Sequence, residues 1–205
     1  MSDYIQTAYR LSKEDKKVIK DNFSTHKDWE KGVFEKFKES IKAYLRVEQN
    51  NQCCYCKNEL GFDVKQVDIE HIIPKSEYEK FTFYPKNLAL SCPACNTIKS
   101  TNSVLKKSSI TNYPSSKTNF KIIHAHYDEY SKNIRIEDNC IYIPKTKKGS
   151  ETITICKLFR LEKVESNARK FITKKSPLTE LIESIRTSES SELENLLDLL
   201  KEQID

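Results

Sequence analysis

Two C-x-x-C pairs, Cys53/Cys56 in "CCYC" and Cys92/Cys95 in "CPAC", constrain this chain more than any other feature. Two such knuckles can deliver four thiolates to the closed tetrahedron that structural zinc prefers. The fold must therefore bring residue 92 back beside residue 56 across the 35 residues between them. That interval exceeds the ~15–20 residues of a simple zinc ribbon, so a further element is inserted between the knuckles. The rival reading is buried or redox-active thiols. Matched pairs in a chain whose first residues, Met1-Ser2-Asp3-Tyr4, lack the basic and apolar segments of a secretory signal favour metal and predict a cytoplasmic protein. Cys54, Cys140 and Cys156 fall outside the knuckle register and read as small core residues.

The rest of the chain divides around that segment. Over residues 1–49, Ser12 and Asp15 have the spacing of a capping box, with Val18, Ile19 and Phe23 behind them at helical intervals. Trp29, Val33, Phe34, Phe37, Ile41, Tyr44 and Leu45 then predict one long apolar helical stripe. Residues 50–105 replace that period with cysteines, prolines and short β-like runs. Residues 106–119, "KKSSITNYPSSKTN", have the composition of a surface linker. In residues 120–205, "FKIIHAHY", "NIRIEDNCIYIP" and "ETITICKLF" predict a small β meander turning at Glu137-Asp138-Asn139. Ser176-Pro177, and Ser191 with Glu194 ahead of Leu196, Leu197 and Leu200, predict helices in the tail.

At 205 residues the chain can bury one solid core or two small ones. Its mean hydropathy of -0.68 and 32% charged residues leave no apolar run near the ~18 residues of a membrane span. A net charge of +5 and a pI near 8.7 tolerate a polyanionic partner without demanding one.

The segment from Cys53 to about Ser100 resembles the HNH endonucleases. The resemblance rests on "DIEHIIPKS", "PKNLALSC" and "PACNTIKS" between and beside the knuckles. It implies an α+β fold, a ββα-metal core of His-Me finger type with a four-cysteine zinc site, flanked here by helices and the meander. It also implies metal-dependent hydrolysis of DNA. The acidic–histidine pair falls on Glu70 and His71, the central asparagine on Asn87, and the position that opens the helix beside the second knuckle on Asn96. Where this chain has Glu70 the family usually has aspartate, which alters the reach of that carboxylate.

The chemistry calls for the same residue types. Phosphodiester hydrolysis needs an activated water, neutralisation of charge on the phosphate, and stabilisation of the departing oxygen. A neutral imidazole suits His71 as general base. A hard cation such as Mg²⁺ or Mn²⁺ takes oxygen ligands from one or two protein groups, here Glu70 and the amide oxygen of Asn96. In an extended strand Asp68 shares a face with Glu70, and it ranks below Glu70 as a ligand. Glu70 and His71 would then point to opposite faces unless the site wraps the strand's edge. The Asn87 amide is suited to bridging the loop that carries His71. Lys99 could touch a phosphate. His124 and His126, at i and i+2 of an expected strand, form a weaker metal candidate. The lysines at 106, 107, 145, 147 and 148 could extend a DNA-facing surface, although solvated loops explain them as well.

The order of HNH module, "HAHYD" and "ETITICKLFRLEKVESNAR" is similar to the HNH proteins of bacterial anti-phage operons, the Septu-type and retron-associated nucleases. That resemblance implies an ATPase partner and makes residues 120–205 its docking region. A zinc-knuckle module that binds nucleic acid without cutting it, or an adaptor on a dead nuclease fold, is the alternative. Neither would need Glu70, His71 and Asn96 together.

Overall fold

A computed structural model of the chain describes residues 3–137 and 141–159. Helix α1 (Lys13–Asn22) starts where its sequence says: the Ser12 side chain accepts from the Asp15 amide, and the Asp15 carboxylate accepts from the Ser12 amide. The long stripe that follows is divided. Trp29 sits on a 3-10 turn over His26–Glu30 and Phe34 on a second over Gly32–Phe34, before α2 (Glu35–Glu48) begins. The break is local: Asp28 binds the Ser24 and Thr25 amides at 2.7 and 3.0 Å and closes a tight turn there. Val33 is consequently left on the surface, whereas Trp29, Phe34, Phe37, Ile41 and Leu45 are buried.

The insert between the knuckles is a β-hairpin with a long loop. Strands β1 (Asp68–His71) and β2 (Leu88–Ser91) pair antiparallel, with Glu70 opposite Ala89 and His71 opposite Leu88. Helix α3 (Pro93–Lys99) follows at once, its proline in the first turn where a missing amide costs nothing. Two four-residue strands cannot stand alone in water. The free edge of β2 is covered instead by side chains and loops from outside the hairpin. Gln49, just past α2, accepts from the Leu90 amide at 2.7 Å and donates to the Leu90 carbonyl at 2.9 Å. The Cys54 amide reaches the same carbonyl at 2.9 Å, and the His126 Nε2–H reaches the Leu88 carbonyl at 2.9 Å. Every backbone group so satisfied is a pairing site removed from water.

Beyond residue 105 the sequence reading needs correction. Strands β3 (Ile134–Glu137) and β4 (Ile141–Pro144) form the expected hairpin, but "ETITICKLF" is not a third strand. Residues Lys147–Ile155 form helix α4, whose Thr146 side chain caps the Gly149 amide. Tertiary contact overrides β propensity here. Thr152, Ile153 and Cys156 are buried on one side, and the Thr152 hydroxyl both donates to the Lys148 carbonyl and accepts from the Ile123 amide, 2.8 Å each. "FKIIHAHY" is likewise a turn-rich loop. The Asp128 carboxylate accepts from the His124 amide at 2.8 Å and closes it. Cys54 and Cys156 are buried as expected. Cys140 and the tail from residue 160, with its expected helices, lie outside the described residues.

Candidate active site and zinc clasp

The four knuckle sulfurs converge: the Sγ atoms of Cys53, Cys56, Cys92 and Cys95 all lie within 4.8 Å of one another, and this is the one such metal-ligating cluster among the described residues. Backbone turns set each pair, the Lys57 amide reaching the Cys53 carbonyl at 3.0 Å and the Asn96 amide the Cys92 carbonyl at 3.0 Å. Two tyrosines from far along the chain brace the first knuckle. Tyr130 donates to the Tyr55 carbonyl and Tyr142 to the Cys56 carbonyl, each at 2.8 Å. Burial pushes the Cys53 thiol up to about 12, and neighbouring thiols push Cys56 and Cys95 above the ordinary range. Four thiolates so close repel one another, and a divalent cation at their centre converts that repulsion to attraction. The soft, closed donor set, buried except for the partly exposed Cys92, fits zinc.

One strand away, Asp68, Glu70 and His71 of β1 and Asn96 and Lys99 of α3 line a cleft of about 600 Å³. Glu70 and His71 both line it although they are consecutive in a strand; among the described residues β1 is paired on one edge, which leaves its other edge to the cleft. Glu70 is 2% exposed. Its Oε1 receives the Tyr55 hydroxyl at 3.0 Å and lies 2.6 Å from the Lys99 ammonium. Burial raises the Glu70 carboxyl above its ordinary range, and Lys99 opposes the shift. Lys99 is 1% exposed and donates at 2.6 Å to the His71 carbonyl as well, so it is a buried internal cation rather than a solvated lysine.

His71 is buried against the edge of Trp29, ring centroids 4.6 Å apart, and its Nε2–H donates to the Thr82 carbonyl at 3.0 Å. A carbonyl only accepts, so Nε2 carries the proton and Nδ1 keeps its lone pair. Burial first, then the positive charges of Lys75 and Lys99, hold this imidazole down at about 3. It is neutral at cellular pH.

Asn96 donates its amide nitrogen to Asp68 Oδ2 at 2.9 Å, which leaves the amide oxygen as an acceptor. Asp68, Glu70 and Asn96 thus bring three oxygen-bearing side chains to one cleft, the donor type that hard cations take, with Glu70 Oε1 already held by Lys99 and Tyr55. Asn87 does not line the cleft. Fully buried, it accepts from the Ile73 amide at 2.7 Å and donates to the Ile73 and Phe81 carbonyls at 3.0 and 3.1 Å. It ties both ends of the loop that presents the Thr82 carbonyl to His71.

Both ring nitrogens of His124 are engaged within the protein, which disfavours the pairing of His124 with His126 around a metal. The His124 Nδ1 accepts from the His126 amide at 3.1 Å, and its Nε2 meets the Tyr113 hydroxyl at 2.8 Å. The sequence reading missed Trp29, Tyr55 and Thr82 as parts of the site. Tyr55 sits inside the first knuckle and carried a signal, since an aromatic hydroxyl buried there needs a polar partner. Thr82 acts through its backbone and carried none.

Residues 53–102 match the family model described as HNH endonuclease, and this segment is an HNH module. The chain is also similar to the Septu protein PtuB of Bacillus thuringiensis, 29% identical over 124 residues. That match covers 60% of this chain and 43% of the relative, so it spans less than half of the relative's length. No helix among the described residues is long and apolar enough to cross a membrane.

Proposed function

We propose that this protein is a metal-dependent endonuclease that hydrolyses phosphodiester bonds of DNA, and that it is the cytoplasmic nuclease effector of a bacterial anti-phage system acting with an ATPase partner. The observation that carries the nuclease reading is one cleft lined by a neutral histidine with a free Nδ1 and three oxygen-bearing side chains. The defence role rests on the likeness to the Septu protein, and the ATPase partner on the resemblance to the HNH proteins of anti-phage operons.

In this reading His71 Nδ1 takes the proton of the attacking water, and the positive charge it gains is spread through Nε2–H to the Thr82 carbonyl. Without substrate the cleft disfavours that charge. An incoming phosphate adds negative charge beside the ring and raises its basicity when substrate is present. Trp29 covers the ring and excludes water from that side. Glu70 and the Asn96 amide oxygen, with Asp68 as a further carboxylate, would hold Mg²⁺ or Mn²⁺, which supplies Lewis-acid stabilisation of the phosphate and the leaving 3′-oxygen. Lys99 holds the Glu70 carboxylate and supplies fixed positive charge to the cleft. Asn87 positions rather than reacts. The zinc clasp holds the scaffold.

The test is plasmid and RNA cleavage by the purified chain, alone and with its operon neighbour, with Mg²⁺ or Mn²⁺. Wild type is expected to nick or linearise plasmid, and His71→Ala to be inactive with its fold intact by circular dichroism. Equal cutting by the two proteins rejects His71 as the base. Cutting of RNA alone rejects DNA as substrate.

A further inference from the structure

A second cavity, of about 760 Å³, lies between the loop after residue 105, the 124–133 segment and the start of α4. None of its lining residues borders the catalytic cleft. Lys106, Lys117, Lys121, Lys132, Lys147 and Lys148 converge on it from separate stretches of the sequence. Two of these charges are answered within the protein. Lys148 meets Asp128 at 2.7 Å, and Lys132 meets Glu129 at 2.8 Å. Glu151 is the one other acid on the wall, so positive charge is left in excess.

Lys148 shows that the excess is concentrated. Its side chain is 16% exposed, and although Asp128 is in contact, burial and the nearby charges of Lys106 and Lys117 keep its ammonium below the ordinary lysine range. Lysines on an ordinary solvated surface spread apart to avoid this crowding. Here Lys148 is pinned by the Lys117 carbonyl, at 2.7 Å, as well as by Asp128. The buried ring of Phe120 gives the cavity an apolar wall.

We propose that this cavity is a second anion site that receives phosphate groups, outside and independent of the nuclease cleft. Phosphate oxygens are the ligand class that several convergent ammonium groups match, through point-charge contacts that need no fixed fork geometry. The phosphates can come from a nucleic-acid strand or from a free nucleotide, and the size of the cavity suits either.

The experiment is fluorescence anisotropy in magnesium-free buffer, with a labelled single-stranded oligonucleotide in one arm and a labelled nucleoside triphosphate in the other. Lys106→Glu/Lys117→Glu/Lys147→Glu reverses three exposed charges whose side chains make no hydrogen bond or ion pair among the described residues. Lys13→Glu/Lys16→Glu/Lys20→Glu, on α1, makes the same net-charge change elsewhere. The cavity variant is expected to lose tenfold or more in affinity for at least one probe, and the α1 variant less than about threefold. For the oligonucleotide, losing about three phosphate contacts should make the slope of log K against log salt shallower by about 2. Loss confined to the nucleotide arm identifies a nucleotide site, and loss in the oligonucleotide arm a backbone site. Equal losses in the two variants, or no binding of either probe by wild type at low salt, overturn the proposal. No step involves His71 or a catalytic cation, so an inactive nuclease leaves the result readable.

Discussion

Removing Lys99 should reveal how the cleft is held together. The Lys99–Glu70 pair spans 2.6 Å between side chains that are 1% and 2% exposed. In Lys99→Met the stem still fills its space, but Glu70 is left as a buried carboxylate without a counter-charge, which costs about 3 kcal/mol or more. Loss of the bond to the His71 carbonyl adds about 1 kcal/mol. The sum, roughly 4 kcal/mol, is a large part of the ~5–15 kcal/mol that holds a domain folded. Lys99→Met/Glu70→Gln should recover most of it, since a neutral amide can still accept from Tyr55. Its residual deficit should be about 1–2 kcal/mol. Guanidinium denaturation at fixed total zinc measures both. The deficit should also depend on pH with a determined sign. Glu70 is already held above its ordinary value, and without Lys99 it rises further. The unfolded chain then releases this proton at a lower pH than the folded one, so stability falls as pH rises above the unfolded value, by up to ~1.4 kcal/mol per pH unit. The single variant should therefore be closer to wild type at pH 5.5 than at pH 8. A deficit below about 1 kcal/mol, or a double variant no better than the single one, would refute the buried-pair account.

Asn87→Ala removes three buried hydrogen bonds and strands the Ile73 amide, so a loss of about 2–4 kcal/mol in denaturant, with faster amide exchange at Ile73, is expected. His126 is held down at about 4 by burial, so the unfolded chain binds its proton first and stability falls as pH drops below the ordinary histidine value. His126→Gln can keep the donor to the Leu88 carbonyl, and its stability should fall less steeply between pH 6.5 and 5, by about 1 kcal/mol per unit on average; parallel curves contradict this. Cys92→Ser should lose zinc by elemental analysis and lower the melting temperature together with activity; unchanged zinc content would place the metal elsewhere.

What was legible in the sequence follows the range of the forces involved. The Ser12–Asp15 cap, the knuckles and the Ile134–Pro144 hairpin depend on residues a few positions apart, and all three appear as read. Where a distant contact decides, the local signal fails. "ETITI" has strand composition, yet Thr152 folds into a helix that satisfies its hydroxyl and the Ile123 amide together. The cleft shows the same limit. Residue types marked Glu70, His71 and Asn96, but the pairing of Lys99 with Glu70, of Asn96 with Asp68, and of His71 with a backbone carbonyl depend on three-dimensional placement.

The same contacts explain why an HNH module of this size is embedded in a longer chain. Its two strands supply four residues each, too little to hold the His71 side chain in place by themselves. Rigidity comes from outside residues 53–102: Gln49 occupies the outer edge of β2 at Leu90, His126 binds Leu88, Tyr130 and Tyr142 brace the first knuckle, and Trp29 packs on His71. Leu88 is the register partner of His71, so the His126 contact and the Trp29 contact press on the same rung of the hairpin from two different segments. Perturbations on either flank should therefore reach the cleft through that rung. A module excised at its family boundaries would keep its four thiols, but it would lose every one of these supports.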